Sequence, residues 1–196
     1  ANDDMDINYE GLMRAFEYMK FFMLNTVDEI KIASDKYLSA NLLSAHNIPQ
    51  PNYGLVTRDL MEDLSTDTKD TRKCFWDIVN KVYSKNTDIT DYSSSDIKYV
   101  CKILGGSLGI GVFICDKSEL ESILQAMFQI SPSSKFIIQE FKKNTGDIRV
   151  HLLSVDGMNY EVLACMKRNK IEKDFRSNVS LGATTDEYKL SKEQEE

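Results

Sequence analysis

The 196-residue chain is poor in the residues that most often announce chemistry or staple a fold. It has four cysteines, two histidines, three prolines, one tryptophan and nine glycines. Cys74, Cys101, Cys115 and Cys165 form no Cys-x-x-Cys pair, and His46 and His151 are the only histidines, so the spacing does not make a four-ligand zinc set. Cys101, Cys115 and Cys165 sit in apolar, strand-like runs, where thiols act as small buried hydrophobes in a reducing compartment. No apolar run approaches the ~20 residues that span a bilayer, and no leader-like segment is seen, so the expected setting is the cytoplasm, with no membrane partner. Positive charge is also in deficit, with 24 Lys and Arg against 31 Asp and Glu. A net charge of −7 argues against nucleic acid as a partner. The length and the 42% hydrophobic content suffice for one domain or two small ones without disulfides or metals.

Hydrophobic spacing divides the chain into a helical front and a sheet-rich remainder. In residues 9–25, Leu12, Phe16, Met19 and Met23 recur at helical intervals, and Asn25 and Thr26 read as the stop. "SDKYLSANLLSAHNIPQP" reads as a second helix, capped by Ser34 or Asp35, with Leu38, Leu42 and Leu43 as its apolar stripe and Pro49 beyond its end. His46 falls in its last turn, where a cation suits the helix dipole. "NYGLV" reads as a short strand. Residues 57–96 are polar and acidic and read as a surface excursion holding one helix, "CFWDIVNKVY". From Lys98 onward come the strand "YVCKIL", the strand "VFIC", the helix "SELESILQAMFQI", the strand "KFIIQEF" and a hairpin, "DIRVHLLSV" with "NYEVLACMKR" around an Asp-Gly turn. The tail "YKLSKEQEE" reads as beginning in a strand.

Against this scarcity of glycine, "KILGGSLGIGVF" places Gly105, Gly106, Gly109 and Gly111 within seven residues, directly after Lys102. Such a run lets the backbone approach a ligand and present N–H groups to it, and phosphate is the usual ligand. A Walker A loop requires a lysine after the glycines, and here Lys102 precedes them. A dinucleotide fingerprint needs a different glycine spacing and a following helix, which the β-branched, apolar "VFIC" does not offer. What remains is strand, glycine loop, strand, with the loop over a nucleotide and Lys102 reaching a phosphate from the sheet. A ligand-free glycine hairpin is the alternative.

Downstream, alternation in "DIRVHLL" puts Asp147, Arg149 and His151 on one strand face and Ile148, Val150 and Leu152 on the other. A face carrying those charges belongs on a wet surface or a cleft. Lys167 and Arg168 end the next strand, and "DFRSNVSLGA" adds Arg176, Ser177 and Asn178, all donors suited to polyphosphate or carboxylate. Ordinary surface pairing is the alternative for each arginine.

In order along the chain, "SDKYLSANLLSAHNIPQPNYGLV", "CKILGGSLGIGVF", "FIIQEF", "DIRVHLL" and "MKRNKIEKDFRSNVSLGA" resemble the ATP-grasp ligases, and among them the RimK-like group that adds amino acids, typically glutamate, to a carboxylate. The resemblance covers roughly residues 10–190. It implies an α+β ATP-grasp fold with two subdomains whose antiparallel sheets flank a nucleotide cleft. Residues 1–34 would be a helical remnant or linker, 35–138 the first subdomain with its glycine-rich lid, and 139–196 a truncated second subdomain. By the same resemblance Lys102 contacts the nucleotide phosphates, and Gly106, Ser107, Gly109 and Gly111 belong to the lid. Gln139, Glu140 and Phe141 form the hinge that reads adenine. Asp147 contacts the nucleotide, with Arg149 beside it. Arg168 faces the transferred phosphate or the substrate carboxylate, and Arg176, Ser177 and Asn178 line the same site. The implied reaction is ATP-dependent: a peptide or amino-acid carboxylate attacks the terminal phosphate, and an amine then displaces phosphate from the acyl phosphate. Cations must offset the repulsion between the anions brought together.

The resemblance has gaps. The family's magnesium ligands include a Glu-x-Asn pair, and no Glu-x-Asn triplet occurs in the 196 residues. Asp186 and Glu187 lie too early in the pattern to replace it, so the magnesium ligands are expected outside this chain. The front is short as well. Two readings follow: part of a longer ligase, or a trimmed relative that binds nucleotide or serves assembly, as a homo-oligomer or in a larger complex. On either reading the chain alone is expected to show little ligase activity.

Overall fold

The computed structural model describes residues 3–65, 69–84, 98–106, 109–154, 156–170 and 182–192. The chain divides into two compact units, one made of Ala1–Gly105 and Phe113–Glu140, the other of Gly106–Val112 and Phe141–Glu196. Among the described residues no helix is long and apolar enough to cross a membrane.

The first unit opens with helix α1, Asp3–Tyr18. It ends earlier than the apolar spacing suggests. Lys20 takes a left-handed conformation (φ 58°), and the Phe21 N–H donates to the carbonyl of Phe16, 3.0 Å away. The Phe16 and Phe21 rings meet edge to face at 5.5 Å. Thr26, read from the sequence as part of a stop, begins the next helix, α2, Val27–Ser34. Its hydroxyl accepts from the Glu29 N–H at 3.2 Å, and the Glu29 carboxylate accepts from the Thr26 N–H at 2.6 Å. This reciprocal capping box satisfies two backbone donors that a helix start otherwise leaves open. Replacing Thr26 with Ala is expected to cost about 1 kcal/mol of stability, read as a lower urea midpoint at unchanged slope.

Helix α3, Lys36–Ala45, starts where expected: Asp35 Oδ1 accepts from the N–H groups of Tyr37 (2.8 Å) and Leu38 (3.0 Å). Its buried face is not the leucine stripe. Leu38, Leu42 and Leu43 are exposed, while Ala40 is buried with Leu104 and Ile137, flanked by Tyr37, Tyr53 and Leu55. A methyl side chain at the contact lets the helix lie close to the sheet.

That sheet contains strands β1 (Tyr53–Val56), β2 (Lys98–Ile103), β3 (Val112–Asp116) and β4 (Phe136–Glu140), in the order β1-β4-β2-β3. β4 runs antiparallel to both β1 and β2, with Phe136 opposite Val56 on one side and Ile103 on the other. Its Phe-Ile-Ile core is buried on both faces, as a central strand requires. Between β1 and β2 lie two helices, α4 (Arg58–Ser65) and α5 (Lys69–Ser84), not one. Nor is this region only a surface excursion. Phe75, Val79 and Val82 of α5 are fully buried, and α5 packs on β1 and β4. The helix read from "CFWDIVNKVY" is amphipathic, and its apolar face completes the core. Helix α6, Leu120–Ile130, closes the same side through Leu120, Leu124 and Phe128.

The second unit holds an antiparallel sheet in the order β5-β6-β7: β5 Gly146–Leu153, β6 Glu161–Asn169 and β7 Thr184–Glu187. The hairpin read from the sequence is present, with a loop wider than two residues. Asp156 organises it by accepting from the N–H groups of Met158 (2.9 Å) and Asn159 (2.8 Å), bonds that hold its carboxyl well below the usual range. β7 lies just before the tail segment expected to begin in a strand.

Candidate functional site

Strand β2 alternates. Tyr99 and Cys101 point into the core shared with α5 and α6, and Lys102 points to the opposite face, in register with Ile137. Ile137 belongs to the cluster under α3, so Lys102 lies on the face that α3 covers. The first residue of α3 is Lys36. Its ammonium donates to the carbonyl of Leu104, 2.8 Å away and two residues past Lys102. Two lysines thus meet at the end of β2 where the glycine run begins. Burial lowers the pKa of Lys102, and the charge of Lys36 lowers it further. Burial also lowers the pKa of Lys36, partly offset by Asp35. Among the described residues the Lys102 ammonium has no hydrogen-bond or ion-pair partner. Two partly desolvated cations that repel each other create a place where an anion is stabilised. Lys36 escaped the sequence reading, which took its neighbourhood only as a helix cap. The available signal was a lysine directly after the capping aspartate.

In the glycine run, Gly109 (φ 81°) and Gly111 (φ 67°) occupy left-handed backbone that other residues adopt only with strain. Gly106 precedes them, and Ser107 lies outside the described residues. Backbone conformation accounts for glycine at both Gly109 and Gly111.

At the far end of the same sheet, Gln139 faces Tyr53 and Val100 across the ladders. Glu140 is buried, and its backbone and side chain both engage Asn52: its N–H donates to the Asn52 carbonyl, and its carboxylate accepts from the Asn52 N–H, each at 3.2 Å. The Glu140 side chain and backbone therefore both anchor the entry to β1. Phe141 follows, as the first residue of its stretch of the second unit.

In the second unit, Asp147 stands opposite Arg168 across β5 and β6. The guanidinium grips the carboxylate with two bonds, Nε to Oδ1 at 2.5 Å and Nη2 to Oδ2 at 2.8 Å. Two residues read separately as site groups are thus one bidentate pair, which fixes the plane of Arg168. Gly146 makes the approach possible, because a Cβ there would lie 2.3 Å from the carbonyl oxygen of Arg168. Arg149 and His151 are exposed on the same strand face, opposite Met166 and Ala164. Arg176, Ser177 and Asn178 lie outside the described residues.

A separate cavity of about 540 Å³ is lined by residues that include Asn41, Ser44, Gln50, Tyr53 and Lys81, and by none of the expected site residues. Its polar groups largely serve each other: the Tyr53 hydroxyl bonds Asn41 and Ser44, and the Gln50 amide bonds the Ala40 carbonyl and Ser44. Among the described residues no group of three or more Asp, Glu, His or Cys side chains stands together as a metal site.

Comparison with known proteins identifies the family and the fold. The family model of the RimK-like ATP-grasp domain matches residues 33–196. Two curated relatives, both named probable alpha-L-glutamate ligase, are similar over nearly the whole chain. The protein of Saccharophagus degradans is 29% identical over 94% of this chain and 52% of its own length. That of Psychromonas ingrahamii is 30% identical over 93% of this chain and 51% of its own. The chain therefore spans about half the length of the curated relatives it matches. In fold it is similar to the crystal structure of D-alanyl-alanine synthetase A from Vibrio cholerae, with a TM-score of 0.61 at 12% identity, covering 93% of this chain and 50% of the other. Its helices, its two antiparallel sheets and this family match make the chain a member of the RimK-like ATP-grasp family, with the ATP-grasp ligase fold.

Proposed function

We propose that this chain carries the nucleotide-binding part of an ATP-dependent ligase that joins an amino acid to a carboxylate through an acyl phosphate. The observation that carries the reading is the pair of partly buried lysines, Lys36 and Lys102, at the end of β2. A triphosphate relieves both their desolvation and their mutual repulsion, so the site favours polyphosphate over a neutral ligand. The glycine run from Gly105 to Gly111 serves as the lid over the phosphates, and the backbone from Gln139 to Phe141 reads the purine.

In the second unit, Arg168 is pre-aimed by Asp147, so its positive charge is positioned before charge develops. We assign Arg149, on the same strand face, to a substrate carboxylate or the transferred phosphoryl. Arg176, Ser177 and Asn178 add donors to the same reaction. The carboxylate oxygen attacks the terminal phosphorus, ADP leaves, and the amine nitrogen attacks the acyl carbon to release phosphate. Glutamate is the amino acid we assign, because the curated relatives carry that name. Among the described residues no three Asp, Glu, His or Cys side chains stand together to hold magnesium.

A thermal-shift titration of the purified chain tests the reading. ATP is expected to raise the melting temperature, and adenosine at the same concentration is expected to raise it far less. Equal shifts, or none with ATP, would favour a structural component that has kept the fold without the nucleotide site.

A further inference from the structure

Strand β2 presents Cys101, and β3, its neighbour in the sheet, presents Cys115. The two Sγ atoms are 4.0 Å apart, and both thiols are buried within one apolar cluster. Cys101 directly precedes Lys102, and the glycine run lies between the two cysteines in the chain. Nothing in the proposed ligation uses either thiol.

We propose that Cys101 and Cys115 are a peroxide-sensitive dithiol, oxidised to a disulfide that ties β2 to β3 behind Lys102. The sulfurs already lie on neighbouring strands, so side-chain rotation with a small strand adjustment can bring them to bonding distance. Of the two, Cys115 is the first nucleophile, because it lies on the edge strand β3, whereas Cys101 is fully buried on β2 between β4 and β3. The Cys115 thiolate attacks one oxygen of hydrogen peroxide. The O–O bond breaks, a sulfenic acid forms, and hydroxide leaves to become water. Cys101 then gives up its proton and attacks the sulfenic sulfur. The S–S bond forms, the S–O bond breaks, and the departing hydroxide takes a proton as a second water. In sum, two thiols and one peroxide give one disulfide and two waters. Because both sulfurs are buried, oxidation waits on local opening of the strand pair and is slower than at exposed Cys74.

The test is peroxide treatment of the folded chain, alkylation of remaining thiols, and peptide mapping by mass spectrometry. The expected product is a Cys101–Cys115 cross-linked peptide, lost on reduction. It should be absent from Cys101→Ala and Cys115→Ala, and retained in the Cys74→Ser, Cys165→Ser double variant. In that double variant, closing the ring is expected to raise the melting temperature by roughly 5 °C over the reduced form. Modification confined to Cys74 and Cys165, or a cross-link that forms only in denaturant, would overturn the proposal. The double variant keeps the outcome readable if either alanine variant fails to fold.

Discussion

Lys102→Met is expected to abolish the stabilisation that ATP confers and, in the same protein, to leave the ligand-free chain at least as stable as the parent. The two halves have one cause. In the folded chain the Lys102 ammonium is partly desolvated and faces the like charge of Lys36, so it is a liability until an anion arrives. Methionine fills the same space without the charge. A lysine that merely decorated the surface would change neither quantity. The pH dependence follows with a definite sign. The folded-state pKa of Lys102 lies below the ordinary value of 10.5, so between the two values the unfolded chain binds more protons. Stability of the ligand-free chain should therefore gain from this group as pH rises through that window, while below it the penalty is constant. ATP affinity should move the opposite way, weakening as the lysines lose their protons, with protons taken up on binding there.

The second large effect concerns the scaffold. Phe136→Ala is expected to cost about 3–5 kcal/mol, measured as a fall in the urea midpoint. Phe136 is fully buried on the central strand β4. It meets Phe128 edge to face at 5.1 Å and Phe113 at 6.4 Å, so its loss opens a cavity lined by rings from α6 and β3. Against a typical total of about 5–15 kcal/mol, that is enough to leave part of the population unfolded at 37 °C. A cost below about 1 kcal/mol would mean that the sheet is not packed as described.

Much of this was legible in the residues, for identifiable reasons. Alternation in "YVCKIL" and "DIRVHLL" predicts which side chains share a face, because a strand has period two. The concentration of glycine after Lys102 marks a special backbone, and positive φ angles at Gly109 and Gly111 match that reading. The failures are instructive in the same terms. Thr26 and Glu29 spell a capping box three residues apart, which marks a helix start where the end of the apolar spacing suggests a stop. The leucines of α3 satisfy helical spacing, yet spacing cannot say which stripe meets a sheet, and the small residue Ala40 does. Helix α5 was legible in "CFWDIVNKVY", but the polar composition of residues 57–96 concealed α4 and the burial of the apolar face of α5 in the core. Long-range partners were beyond reach: Lys36 gains its meaning from the carbonyl of Leu104, 68 residues later, and Asp147 from Arg168, 21 residues later.

The most direct test of the central claim is a structure of this chain with a non-hydrolysable ATP analogue. The account predicts triphosphate oxygens within about 3 Å of both Lys36 Nζ and Lys102 Nζ, a charge-assisted hydrogen-bond distance. Phosphates bound elsewhere, with the two ammonium groups untouched, would contradict it.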